Sequence, residues 1–269
     1  MRTWLFLLAV VTLAHDAAPA FAAEPAALVS ARRLYNTAEY DAAIDAAAEA
    51  RRAPDWADAA AVVQGRAYLE RYRLRSDPAD LAAGGEALHF ARSWRLAPRD
   101  GIDQLVGVGQ WLYLSDWFGA AADLFDNALT QSVLLTARER LQLLDWWATA
   151  VDRAAQSRPA DRRAPAYARL LARMEDEIRR DPSSPVANYW LPVSARGVGD
   201  LDRAWEASGA GWARSVLSSE TWFPVREDLD RFVTYVLVVE RSRSRNGLEQ
   251  PEAMRAMLED WEELKQQWK

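Results

Sequence analysis

Three short segments of this chain share one pattern, and that pattern constrains the fold more than any other feature. Glu39-Tyr40-Asp41-Ala42-Ala43-Ile44, Asp116-Trp117-Phe118-Gly119-Ala120-Ala121 and Gly199-Asp200-Leu201-Asp202-Arg203-Ala204 each follow a stretch of helical periodicity by a residue or two. Each then opens another such stretch. Two helices joined so tightly must fold back on one another as a helical hairpin. Extended along the chain, the same reading predicts six hairpins: 26–36 with 39–52, 56–74 with 78–96, 101–114 with 117–131, 136–155 with 161–180, 185–197 with 200–216, and 225–245 with 250–268. Pro54, Pro98, Pro182 and Pro224 fall between them, where proline ends a helix by losing its donor and clashing with the preceding turn. No stretch of useful length alternates with a period of two, so no sheet is expected.

The hairpins also repeat in side-chain size. Gly109, Leu112, Phe118, Ala121, Phe125 and Ala128 of the third hairpin match Ala31, Leu34, Tyr40, Ala43, Ala47 and Ala50 of the first. Gly65 and Tyr68 mark the second, Ala204 and Gly211 the fifth. Small residues let paired helices approach closely, and aromatic rings fill the space between successive pairs. This arrangement resembles the tetratricopeptide repeat. The match is good over 26–131, fair over 181–216 and poor over 132–180, and it departs where Pro192 replaces a small residue, predicting a kink or a late helix start. The resemblance implies an all-α, right-handed solenoid of about six antiparallel helical hairpins.

The last hairpin differs. Leu229, Phe232, Val233, Val236 and Val239 form one apolar stripe, and Met254, Met257, Leu258, Trp261, Leu264 and Trp268 form another. One face packed on the final repeat and one face in water is what a solenoid cap requires. A competing reading docks this hairpin in a partner's groove. The expected organisation is thus a leader over 1–22, a repeat domain over 23–216 and a C-terminal capping hairpin over 217–269.

The leader rests on Met1-Arg2, an apolar run from Trp4 to Ala14, and Ala20-Phe21-Ala22, the small-x-small pattern of signal cleavage. The run is far shorter than the ~20 residues of a membrane span. We expect cleavage near Ala22, a periplasmic or secreted location, and no integral membrane segment afterwards. An uncleaved anchor is the competing reading. Cysteine is absent, so no disulfide forms in that oxidising compartment and stability must come from packing. The net charge of −6 argues against nucleic acid as a general partner, since phosphate binding needs a basic face.

Catalytic signatures are scarce. Without cysteine, and with His89 the sole histidine beyond the leader, thiol chemistry and a histidine-rich zinc site are excluded. His89 sits inside an amphipathic helix, with no Gly-x-Ser-x-Gly turn anywhere. Gly107-Val108-Gly109 and Gly197-Val198-Gly199 follow no strand and so are not phosphate cradles. No cofactor is expected. Tryptophan is unusually frequent at thirteen, and the Trp146-Trp147 pair cannot point inward together, because helical neighbours lie about 100° apart. One of the two is expected at a boundary or surface, and aromatic side chains near arginine suit binding hot spots.

In tetratricopeptide proteins the first helix of each hairpin lines a concave groove that holds peptides. Carried over by motif position, the resemblance implies a partner-binding groove of Arg32, Tyr35 and Asn36 from the first hairpin, with Arg66, Leu69 and Glu70 from the second. Gln110, Tyr113 and Leu114 follow from the third, and Tyr189 and Arg196 from the fifth. The lysine–asparagine clamp of some relatives is not supported, since Leu28/Arg32, Val62/Arg66 and Val106/Gln110 stand at its positions. The expected function is a scaffold holding a protein or peptide partner. The alternative is an all-α periplasmic small-ligand binder or carboxylate-dependent hydrolase, which would show a closed pocket with two facing carboxylates of raised pKa.

Overall fold

A computed structural model describes residues 23–218, 224–243 and 249–268. The leader, Trp222 and the Asn246-Gly247 turn lie outside the described residues. Among those described, the chain is helical without strands. In order, the helices are α1 (Ala26–Asn36), α2 (Tyr40–Ala50), α3 (Ala57–Arg75), α4 (Pro78–Phe90), α5 (Pro98–Leu114), α6 (Phe118–Thr130), α7 (Ala137–Gln156), α8 (Ala164–Arg180), α9 (Pro185–Gly197) and α10 (Leu201–Arg214). After these, α11 (Val225–Phe232) runs through a π-helical turn (Val233–Leu237) into α12 (Val238–Ser242), and α13 (Gln250–Gln267) ends the described chain. None of these helices is long and apolar enough to cross a membrane.

Consecutive helices pack in pairs, α1 on α2 through α9 on α10, with α12 on α13 at the end. The first helix of one pair also touches the first helix of the next: α1 meets α3, α3 meets α5, and α7 meets α9. The largest core runs from Ile102 on α5 to Trp261 on α13, and smaller cores join the first two pairs.

The three turns that share a sequence pattern also share a conformation. Ala38, Asp116 and Gly199 all take a positive φ, between 60° and 89°. In each, the following backbone N–H donates back to the carbonyl five residues earlier: Glu39 to Leu34 at 2.9 Å, Trp117 to Leu112 at 2.8 Å, and Asp200 to Ala195 at 3.0 Å. Such a left-handed cap satisfies carbonyls that a helix end would leave free and reverses the chain in a fixed direction. Identical geometry at three positions is a structural repeat within the chain.

Small residues act where expected. A Cβ on Gly109 would lie 2.5 Å from the ring of Phe125, the matching large position of the same pair. The expected late helix start at Pro192 does not occur: α9 starts at Pro185 and continues through Pro192. Proline cannot donate to the carbonyl of Asn188 one turn earlier. That carbonyl faces Gly211 of α10 instead, where an added Cβ would sit 2.8 Å from it. In the final pair Val225, Leu229, Phe232, Val233, Leu237 and Val238 are buried, while the expected Val236 and Val239 are only half-buried, Val236 packing against the core. The wider π turn inserts one residue and rotates the apolar stripe.

Candidate functional site

Helices α1, α3, α5 and α7 converge on a cavity of about 650 Å³. Its walls are polar and charged, yet most of the charge is already matched within the wall. The Arg66 guanidinium pairs with Asp103 of α5 and stacks 4.8 Å over the ring of Tyr35 on α1. Burial pushes the Tyr35 hydroxyl up to about 12, so it remains a neutral donor. One turn along α3, Glu70 accepts from Arg73 at 2.7 Å and from Gln110 Nε2 at 3.2 Å. Arg73 in turn lies 5.0 Å over the ring of Trp146 on α7. These cross-links follow the same order along both helices, from Arg66–Asp103 to Glu70–Gln110, so α3 and α5 run parallel.

The end of the cavity between α5 and α7 is tied by Arg99. Its guanidinium bonds Glu139, Asp103 at 3.2 Å and the Leu134 carbonyl at 2.8 Å. Glu139 also closes a capping box with Thr136, accepting its backbone N–H at 2.8 Å and so fixing the start of α7. Chiefly the bond from Arg99, with those from Thr136, holds the Glu139 carboxyl down at about 2. At the other end Tyr113 meets Trp146 edge-on, centroids 5.1 Å apart. Trp147 beside it is fully buried, with Arg169 and Arg173 over its ring, so the adjacent tryptophans divide between core and cavity.

Two charges on the cavity wall have no ionic partner among the described residues. Arg138 is exposed in the first turn of α7. Asp145, two turns further along, accepts a 2.8 Å hydrogen bond from the Trp190 indole of α9. Burial raises its carboxyl above the ordinary range, with that bond opposing. A smaller hollow of about 150 Å³ adjoins and shares the Tyr35, Arg66 and Arg99 walls. Arg32 lies there, bonded to Asp100 and Glu24, each at 2.8 Å.

The carried-over positions therefore divide. Tyr35, Asn36, Arg66, Glu70 and Gln110 line the main cavity, and Arg32 the adjoining one. Tyr113 sits behind Trp146, packed between it and Phe118. Leu69 belongs to the core, fully buried. Tyr189 and Arg196 lie on α9 outside the cavity; Tyr189 meets Trp190 edge-on, and Arg196 is bonded to Glu240 of α12 at 2.8 Å. The motif transfer missed the α7 wall, namely Arg138, Glu139, Asp145 and Trp146. The fourth pair carries too little of the repeat pattern to place its positions. The paired raised carboxylates that would mark acid–base chemistry do not occur here as a pair: Asp145 is raised, whereas Glu139 is lowered and engaged by Arg99. The sequence matches no family model and no curated protein.

Proposed function

We propose that the chain is an exported binding scaffold: a right-handed, tetratricopeptide-like solenoid, closed by its last helices, that holds an extended segment of a protein partner in the groove of α1, α3, α5 and α7. The observation that supports this most is one partly open cavity whose wall is drawn from the first helices of four successive pairs. Its buried cations are neutralised in place, so the groove has little desolvation cost left to meet on binding. Tyr35, Tyr40 and Trp146 offer rigid rings for side chains, and the exposed Asn36 offers an amide for a peptide backbone. Export rests on the leader pattern alone.

The test is selection of peptides from a displayed random library on residues 23–269. Their affinity would then be compared for wild type, Trp146→Ala and a control on a distant exposed side chain, Tyr235→Ala. Removing a stacking ring at the centre of an interface should weaken binding about thirtyfold, while the control should leave it unchanged. Selected peptides that bind the Trp146 variant undiminished would rule out this groove.

A further inference from the structure

The groove also carries information about what it binds. This inference rests on the peptide reading above. Arg66, Arg73 and Arg99 are paired with Asp103, Glu70 and Glu139 within the wall, which leaves Arg138 and Asp145 as its two ionically unmatched groups among the described residues. Both sit where their own fold disfavours them. Arg138 occupies the first turn of α7, where the helix dipole repels a cation, and no carboxylate answers it. Asp145 is half-buried, with a neutral indole N–H as its hydrogen-bond donor and the like charge of Asp228 nearby. Among the described residues Arg138 has no contact that serves the packing of the chain, Asp145 has one hydrogen bond to α9 and no ion pair, and both line the same cavity. Seven residues apart, they lie on one face of α7, separated by two turns or about 10 Å.

We infer that the groove selects a peptide presenting a carboxylate and a cationic group about 10 Å apart, the carboxylate on Arg138 and the cation on Asp145, with Trp146 lining the wall next to Asp145. That spacing corresponds to about three residues of extended chain. The two charges can come from an acidic and a basic side chain within a longer segment, or from the free termini of a short peptide.

The test uses synthetic peptides on the folded chain, with affinity read by calorimetry. Peptides with acetylated and amidated ends carry Glu and Lys three residues apart, in either order, Lys at both positions, or Gln at one or both. Free-ended tetrapeptides without charged side chains form the second arm. The Glu/Lys pair should bind about tenfold more tightly than either single-charge peptide, in at least one of its two orders. Arg138→Glu, on an exposed side chain, should reverse the preference, so that peptides with two lysines bind best. Asp145→Asn should keep the Glu preference and lose that for Lys. Binding of the free-ended tetrapeptides with the same response to Arg138→Glu assigns the charges to peptide termini; its absence assigns them to side chains. Peptides that bind in the groove, losing affinity in Trp146→Ala, yet show no charge preference would overturn this inference and leave the groove reading intact. Peptides indifferent to Trp146→Ala as well would overturn both.

Discussion

The left-handed cap shared by three turns makes a quantitative prediction with opposite signs at two sites. Ala38 and Gly199 occupy equivalent positions, with φ of 60° and 89°. A residue with a Cβ in this region carries a cost of roughly 1–2 kcal/mol that glycine does not. Against that, glycine frees the unfolded chain, which removes about 0.4–1 kcal/mol of stability. The side chain of Ala38 is exposed, and a Cβ on Gly199 would meet nothing within 4 Å, so neither change alters packing. Ala38→Gly should therefore stabilise by about 0.5–1 kcal/mol, and Gly199→Ala should destabilise by about the same amount. The double variant should sit near wild type, because the two sites lie in different pairs and add independently. Asp116→Gly should gain less than Ala38→Gly, since a short polar side chain tolerates the left-handed region better than alanine. Urea denaturation followed by circular dichroism reads these values from the midpoints, given an unchanged slope. Destabilisation by Ala38→Gly, or no loss from Gly199→Ala, would refute the assignment of the turns as equivalent caps.

Other predictions follow from single contacts. Gly211→Ala should destabilise by about 1–3 kcal/mol in a thermal melt, because its Cβ would meet the backbone carbonyl of Asn188 at 2.8 Å, and backbone cannot move aside as a side chain can. The Glu139 carboxyl is lowered to about 2, so its stabilising bonds are present above the ordinary carboxylate range and are lost as pH falls through about 2. Because that pair is over a third exposed, the loss should be no more than about 1 kcal/mol, and Glu139→Gln should flatten the corresponding part of a melting-temperature profile below pH 5.

Helical class and pair boundaries were legible because they depend on local pattern: periodicity, turn residues and proline. The cap turns stand out as Glu39-Tyr40, Asp116-Trp117 and Gly199-Asp200, and the first three helices start and stop within two residues of expectation, while α4 ends at Phe90 rather than at 96. Pro98 was read as a breaker between pairs, and it opens α5, where its missing N–H has no helical partner to lose. Pro192 does not delay the start of its helix, which opens at Pro185. The compensation lies at Gly211, nineteen residues away, which no local pattern reveals. The π turn of the last pair moves full burial from Val236 and Val239 to Leu237 and Val238, a backbone event without a residue signature. For the groove, the transfer succeeded on α1, α3 and most of α5, where the repeat pattern supplies a register. It failed on α7, where Trp146 and Asp145 sit in a pair without that pattern, and at Tyr113, which the ring of Trp146 covers.

The measurement that bears most directly on the groove is amide hydrogen exchange of the chain with and without a library-selected peptide at saturating concentration. Binding in the groove predicts added protection in α1, α3, α5 and α7, strongest near Arg66, Gln110 and Trp146, with the outer helices α2, α4 and α6 little changed. Protection concentrated in α11 to α13, or spread over the second helix of each pair, would contradict it.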